Sequence, residues 1–254
     1  MATSTRGEPS PAPSLPHRLH WWREAIYCVV FYAAYSAVRD VRGDRPVSVV
    51  QAFTNAKRII RLERLFGLFQ ERRIQGWFLH SHLVIKFLDD FYGSAHFVIT
   101  FAVLVYLFRR QPERYPQWRN TLAITTGLAL IGFALFPLMP PRLLPSGYHI
   151  VDTLKSIGGL WSFDSGPISA VSNQYAAMPS LHCAWALWCA ASIRSTIKGR
   201  LARELVWLYP LLTLTCIVAT GNHYLADAAG GAVIVVLGYF GARLVDRRQL
   251  RASA

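Results

Sequence analysis

Charged residues are scarce in this sequence and make up only 16% of its 254 positions. Soluble domains usually carry about 25%, so the composition argues against a soluble globular protein. Acidic residues are the scarcer kind, with 14 Asp and Glu against 27 Lys and Arg. Such a basic balance in a soluble protein would suggest a nucleic-acid partner. Here the basic residues flank apolar runs, so we expect anionic lipid headgroups as partners and no nucleic acid.

Cysteine is rare as well, with four residues and no Cys-x-x-Cys spacing. All four lie inside apolar stretches, which is typical of small buried side chains and not of a disulfide framework or a zinc site. The sequence gives no indication of a cofactor. A signal-peptide pattern is also missing, because no small-residue cleavage site follows the first apolar run. We therefore expect that run to remain as a membrane anchor.

Apolar residues are abundant, at 53% of the chain. They form runs that approach the roughly 20 residues a helix needs to cross a bilayer. This pattern predicts an all-α integral membrane protein with six transmembrane helices. The predicted spans are residues 24–38, 91–108, 121–139, 181–197, 205–220 and 224–244.

We expect these spans to form a single membrane-embedded domain at residues 21–245. It would lie between a disordered cytoplasmic tail at 1–20 and a basic C-terminal tail at 246–254. Residues 47–69 mix apolar and basic side chains at helical spacing, which predicts a basic amphipathic helix along the membrane surface. A solvated helix packed on other loops explains that pattern equally well.

The basic residues of the short loops favour cytoplasmic termini, in a multi-pass protein of the plasma membrane. With that orientation, the starts of the fourth and sixth spans and the long loop 140–180 all reach the external face. Polar residues that are distant in sequence would therefore meet at one depth.

His223 and Asp227 lie four residues apart at the start of the sixth span, and therefore on one helix face. A carboxylate that bonds one imidazole nitrogen fixes the tautomer and leaves the other nitrogen free to attack an electrophile. A structural pair that caps the helix is the alternative interpretation.

His182 begins the fourth span directly after Pro179 and Ser180, residue types that favour a helix start. Free N–H groups and the Ser180 hydroxyl could hold a phosphate there, with His182 protonating the leaving oxygen. A single interfacial histidine would need no functional explanation. Two helix-start histidines with one carboxylate on the same side favour a catalytic pair.

Three more residues are candidate substrate contacts. Tyr92 and His96 begin the second span on the same side, where ordinary interfacial packing is the alternative, and Asn173 lies in the long loop. The histidines and Asp227 are also ligand types that zinc accepts. Because the spacing of His223 and Asp227 suits orientation of the imidazole equally well, we expect no metal.

The motif Pro-Ser-x-His, followed some forty residues later by His-Tyr-x-x-Asp, resembles the type 2 phosphatidic acid phosphatase superfamily. The resemblance covers about residues 92–231 and implies a six-helix membrane enzyme. Such an enzyme would act on lipid-linked phosphoesters without a metal, through a phosphohistidine intermediate. The resemblance implies that His223 is the nucleophile, Asp227 its orienting partner and His182 the general acid.

The sequence also departs from the phosphatase branch of that superfamily. Leu181 stands where that branch has glycine, and two of its three phosphate-binding cations are missing. Arg142, after the third span, would be the remaining phosphate clamp. The motifs resemble more closely the branch of the inositol phosphorylceramide synthases, which transfer a phosphorylated headgroup between lipids.

That resemblance leads us to expect a lipid headgroup phosphotransferase. A simple lipid phosphate phosphatase and a non-catalytic lipid-binding or transport relative are the alternatives. The missing cations could come from Lys155 or from the basic stretch after the first span. The candidates in that stretch are Lys57, Arg58, Arg61, Arg64, Arg72 and Arg73.

Overall fold

A computed structural model describes residues 20–24, 26, 27, 29, 30, 33, 48–158 and 174–252, with side chains up to residue 246. This part of the chain is all-helical and contains no strand. Its helices, in chain order, are α1 (Val49–Leu65), α2 (Glu71–Phe78), α3 (His82–Arg110), α4 (Tyr115–Leu135), α5 (Thr153–Ser156), α6 (Leu181–Arg194), α7 (Arg200–Leu205), α8 (Leu208–Ala219) and α9 (Leu225–Ala252).

Three segments in the described ranges are long and apolar enough to cross a membrane: His82–Arg110, Arg200–Ala219 and Leu225–Asp246. They correspond to the predicted second, fifth and sixth spans. The predicted third and fourth spans appear as α4, with 21 residues, and α6, with 14 residues, and their crossing of the membrane stays a prediction. The predicted first span and the tail at 1–20 lie mostly outside the described residues.

Helix α3 begins nine residues earlier than the predicted span at 91–108. The predicted span began only after Asp89 and Asp90, two adjacent carboxylates that are costly inside an apolar helix. In the structure Asp89 is buried and accepts a hydrogen bond of 3.0 Å from the Thr153 hydroxyl. The carboxylate is therefore accommodated by the long loop, and the helix runs through without a break.

Helix α9 lies against α4 and α6, while α3 and α8 pack on α6 from other sides. Glycines on α9 allow the close approach. A Cβ atom at Gly231 would lie 2.6 Å from the Ser180 carbonyl oxygen, and one at Gly230 would lie 3.2 Å from Pro179. The start of α6 is thus held directly against the first two turns of α9.

Contacts at one end of the bundle join the segments that we expect on the cytoplasmic side. Arg119, near the start of α4, forms an ion pair of 2.6 Å with Glu24. The neighbouring Asn120 donates to Asp246 of α9 at 3.3 Å, and Arg114 donates to the Ser195 carbonyl. The N-terminal region, two basic loops and the end of α9 therefore share one end, as the predicted topology requires.

At the other end, α1 packs its apolar face on the long loop between α4 and α6. Ala52, Ala56, Ile59 and Ile60 are buried together with Leu138. This packing agrees with the second interpretation of the amphipathic pattern, a helix covered by other parts of the chain. The exposed face of α1 carries its basic side chains, and its location at a membrane surface stays a prediction.

The glycine contacts of α9 predict an asymmetric response to alanine substitution. A Cβ atom at Gly238 would collide with the Thr125 hydroxyl and lie 2.9 Å from the Thr121 carbonyl, whereas Gly127 on α4 has nothing within 4 Å. We expect Gly238→Ala to reduce the free energy of unfolding by about 1–3 kcal/mol through overpacking. Gly127→Ala should leave it unchanged or raise it by up to about 1 kcal/mol. Thermal unfolding in detergent compares the two, and equal melting temperatures would contradict this packing.

Candidate active site

His223 lies in the turn between α8 and α9 and is buried. Gly221 has φ +69°, a left-handed conformation that glycine adopts readily. The next two residues, Asn222 and His223, both donate their backbone N–H to the Ile217 carbonyl at 2.9 and 3.1 Å. The end of α8 is therefore closed by hydrogen bonds, and the chain turns directly into α9.

His223 and Asp227 form a buried pair at the start of α9. The imidazole Nδ1 lies 3.2 Å from Asp227 Oδ2, and the two side chains are 4% and 0% exposed. A carboxylate can only accept, so Nδ1 carries the proton and Nε2 presents a lone pair. Asp227 Oδ2 also accepts the Tyr224 backbone N–H at 3.0 Å, which holds the carboxylate in place.

The Nε2 atom of His223 is the nitrogen of this pair that does not face Asp227. It is buried and has no hydrogen-bond partner within the described ranges. Buried polar atoms are nearly always hydrogen-bonded in native structures. An orphaned basic nitrogen whose ring is oriented by a carboxylate is the arrangement expected of a nucleophile that awaits its substrate.

The second histidine reaches the same place from the start of α6. Ser180 is the N-cap of this helix, and its hydroxyl accepts the Cys183 N–H at 3.4 Å. The Ser180 N–H donates to the Asp227 carbonyl at 2.9 Å, which ties the starts of α6 and α9 together. The rings of His182 and His223 are consequently 5.5 Å apart between centroids.

Two residues of α3 complete a wall of rings around His182. Tyr92 stacks on the imidazole at 4.1 Å with an interplanar angle of 20°, and His96 lies at 4.2 Å between centroids. Tyr92 is also 6.2 Å from the ring of His223. The Nδ1 atom of His96 is 3.0 Å from the Tyr92 carbonyl and must donate to it. The candidate residues of the second span thus lie beside both histidines.

Arg142 lies in a 3-10 turn after α4 and is fastened to the turn before His223. Its backbone N–H donates to the Gly221 carbonyl at 2.8 Å, and its Nε donates to Asn222 Oδ1 at 3.0 Å. Its side chain is only 9% exposed, and its Nη1 forms an ion pair of 3.1 Å with Asp152. A fixed cation therefore lies beside the turn that carries His223, and a carboxylate of the long loop partly neutralises it.

The remaining predicted site residues differ in how the structure places them. Ser180 is fully buried, and both its hydroxyl and its N–H bond to the protein, so its role in holding phosphate stays a prediction. Asn173 lies outside the described residues. The six basic residues of α1 and α2 are exposed, and Lys57, Arg64 and Arg73 lie over the aromatic rings of Phe53, Phe69 and Trp77 on the same stretch.

Sequence reasoning did not find several polar groups that surround these residues. Asn222 and Asp152 orient Arg142. The sequence did not reveal these contacts, because they depend on how the long loop folds. Glu63 and Glu71 bond to the start of α9. One signal was available for Glu63, because it continues the buried stripe of Ala52, Ala56 and Ile59 at helical spacing. A carboxylate in an apolar stripe indicates a buried partner.

The part of the chain that the structure describes contains no cluster of metal-ligand side chains. No group of three or more His, Cys, Asp or Glu side chains could hold an ion there. The chemistry available from the described side chains is that of a nucleophilic imidazole, an orienting carboxylate, a second imidazole and a guanidinium.

Comparison with protein families places the site residues within a known family. The family model of the PAP2 superfamily matches residues 57–241, a range that contains all the described site residues. Comparisons with curated proteins and with solved structures give no match.

The ion pair between Arg142 and Asp152 predicts opposite effects on oxyanion binding. Arg142→Gln should weaken the binding of orthovanadate by about tenfold or more, since a hydrogen bond to a charged group contributes roughly 1.5–3 kcal/mol. Asp152→Asn should strengthen it by removing a competing anion. Calorimetric titration in detergent measures both, with Asp246→Asn at the other end of the bundle as control. Weaker binding in both variants would show that Asp152 serves to position Arg142.

Proposed function

The chain belongs to the PAP2 superfamily, and we propose that it transfers phosphoryl groups of lipid-linked phosphoesters through a phosphohistidine at His223. Membership of the superfamily supports phosphatase-type chemistry on phosphoesters. The observation that supports the specific mechanism best is the orphaned Nε2 of His223, because its ring is oriented at Nδ1 by Asp227.

In the first step, His223 Nε2 attacks the phosphorus atom of the ester. The N–P bond forms while the bond from phosphorus to the ester oxygen breaks. Asp227 stabilises the positive charge that develops on the imidazole through the Nδ1–H bond. His182 gives its proton to the leaving oxygen, which departs as an alcohol. Arg142 faces the negative oxygens of the phosphoryl group, where developing charge is stabilised best by fixed donors.

In the second step, the N–P bond is cleaved by an acceptor hydroxyl. His182, now neutral, takes the proton of the acceptor as the new O–P bond forms. Water as acceptor gives a phosphatase, and the hydroxyl of a lipid or polyol gives a transferase. The residues are the same in both cases, so the acceptor is determined by what the site admits.

A lipid substrate is supported by the surface of α3 next to the site. Tyr92 and His96 line the histidines from the inside of this helix. Its outer face carries exposed apolar side chains, namely Leu83, Phe87, Phe97, Val98 and Phe101. Apolar side chains on the outside of a membrane helix contact acyl chains. A lipid could therefore bring its headgroup to His223 while its chains remain in the bilayer.

Headgroup transfer is supported by the charges around the nucleophile. Asp227 is buried beside His223, Arg142 is partly neutralised by Asp152, and Asp89 is buried close by on α3. A phosphomonoester brings two negative charges into this surrounding, whereas a phosphodiester headgroup donor brings one. Like charges at short range repel strongly in a low-dielectric site. The site therefore suits a diester donor better, in agreement with the missing cations of the phosphatase branch.

We also propose that the site faces the external side of the plasma membrane. The support is the opposite end of the bundle, where the N-terminal region and basic loops meet. A simple lipid phosphate phosphatase is the second candidate function, and it is favoured by the superfamily match itself.

Isotope transfer tests the nucleophile. Incubation with a ³²P-labelled lipid phosphoester, followed by quenching in base, should leave label on the wild-type protein, since phosphohistidine requires the attacking Nε2. His223→Ala should carry none, and Asp227→Asn should form label about 10²–10⁴-fold more slowly, because the tautomer is no longer fixed. Excess EDTA should not change the labelling. Retention of label in His223→Ala would exclude this residue as the nucleophile.

Acceptor competition separates the two candidate functions. Purified protein in detergent is given a phosphodiester lipid and a phosphomonoester lipid, each with and without added inositol or glycerol. A transferase should convert the diester faster and divert product from the hydrolysed to the alcohol-linked form as the alcohol concentration rises. Mass spectrometry of the products measures the partition. Preferential hydrolysis of the monoester, unaffected by alcohols, would support the phosphatase.

A further inference from the structure

Two buried glutamates outside the proposed chemistry hold the first turn of α9. Glu63 of α1 is 2% exposed, and Glu71 of α2 is fully buried. Glu63 Oε1 accepts the backbone N–H of Ala226 at 2.7 Å, and Glu71 Oε1 accepts that of Leu225 at 3.2 Å. These bonds join residues more than 150 positions apart, so they connect α1 and α2 directly to the helix that carries Asp227.

The first turn of α9 is consequently occupied by carboxylates. Asp227 accepts the N–H of Tyr224, so three consecutive N–H groups each bond to a different acidic side chain. N–H groups at a helix start have no partner within the helix, and the helix dipole favours negative charge there. These three bonds hold the turn that carries His223. The first N–H groups of α9 are therefore not available to a phosphate.

The two glutamates bond consecutive N–H groups, those of Leu225 and Ala226, so their carboxyls lie close together. The second carboxyl oxygen of each is buried and has no hydrogen-bond partner within the described ranges. A buried carboxylate oxygen without a donor is costly while the group is charged. Protonation of one carboxyl removes part of this cost, so the geometry favours a pair that holds one proton.

The electrostatic surroundings favour retention of that proton. Burial, and then the negative charge of Glu71, raises the pKa of Glu63 to about 9. Burial likewise raises the pKa of Glu71. The titratable groups that face the pair are Asp227 and Tyr224 from α9, with Tyr148 of the long loop beyond them. A second negative charge on the pair would meet these groups in a buried site.

We propose that Glu63 and Glu71 are positioning residues that hold the turn of His223 and Asp227 as a singly protonated pair, and that loss of the shared proton releases this turn. The inference rests on the proposed function in one respect, namely that release of the turn lowers the rate of the proposed reaction. The pair itself touches neither the nucleophilic nitrogen nor the substrate.

The sign of the pH effect follows from linkage. The pKa of Glu63 is raised above its ordinary value of 4.5, so the folded protein binds a proton that the unfolded chain has lost. The stabilisation is complete below about pH 4.5, decreases as the pH rises and is lost as the pH passes about 9. Above that pH, two carboxylates repel each other beneath α9.

Substitutions at Glu63 separate positioning from general stability. Glu63→Ala removes a carboxyl from the helix start and should lower kcat roughly ten- to hundredfold, because small misplacements of reacting groups cost that much, while KM changes little. Glu63→Gln keeps an acceptor for Ala226 and can donate to Glu71 without titrating. It should restore most of the lost kcat and remove the alkaline decline near pH 9. Glu113→Gln, an exposed acid in the loop before α4, is the matched control.

The result that would overturn the proposal is an alkaline limb in Glu63→Gln identical to that of the wild type. Unchanged kcat in folded Glu63→Ala would overturn it too. If Glu63→Ala does not fold, the pH profile of Glu63→Gln decides alone.

Hydrogen exchange gives a readout that does not need activity. Protection of peptides spanning residues 222–230 should fall in the wild type above pH 9 and stay constant in Glu63→Gln, after correction for intrinsic exchange. If the two proteins differ in this way but the wild type transfers no phosphoryl group, the proposed function is refuted and the role of the pair is retained. Equal protection in both proteins at all pH values would refute the role of the pair.

Discussion

The buried hydrogen bond between His223 and Asp227 is the interaction on which the surrounding structure depends. A carboxylate with no exposed surface is costly without hydrogen bonds, and Oδ2 of Asp227 lies in hydrogen-bonding distance of both the imidazole and the Tyr224 N–H. Both donors belong to the same short turn. The turn must therefore be held rigidly, and closed hydrogen bonds at the end of α8 and carboxyl groups from α1 and α2 hold it.

The packing of the apolar helices brings the starts of α6 and α9 to one depth. Small residues let α6 approach α9 until the Ser180 N–H reaches the Asp227 carbonyl. Tyr92 then closes the remaining side by stacking on His182. The positions of the two histidines are thus set by the packing of the helices that carry them.

The sequence was sufficient to predict an all-helical fold and the proximity of His182, His223 and Asp227. Those predictions use local signals, namely apolar runs, a helix start at Ser180 and a four-residue spacing. It was insufficient where partners come from distant segments. The predicted second span began too late, after Asp89, and the loop threonine that bonds this buried carboxylate is 64 residues away in sequence. The bond of Glu63 to α9 spans 163 residues, a pairing that no local pattern specifies.

Charge balance connects the proposed substrate with the role of the glutamates. The ion pair of Arg142 and Asp152 is neutral, and Asp227 with a neutral His223 contributes one negative charge. The glutamate pair contributes a second if it keeps its proton and a third if it does not. Since interactions between charges in such a site are poorly screened, each added negative charge opposes the entry of a phosphate. In the proposed mechanism the retained proton therefore has two effects, because it keeps the turn in place and limits the repulsion that an anionic headgroup must overcome.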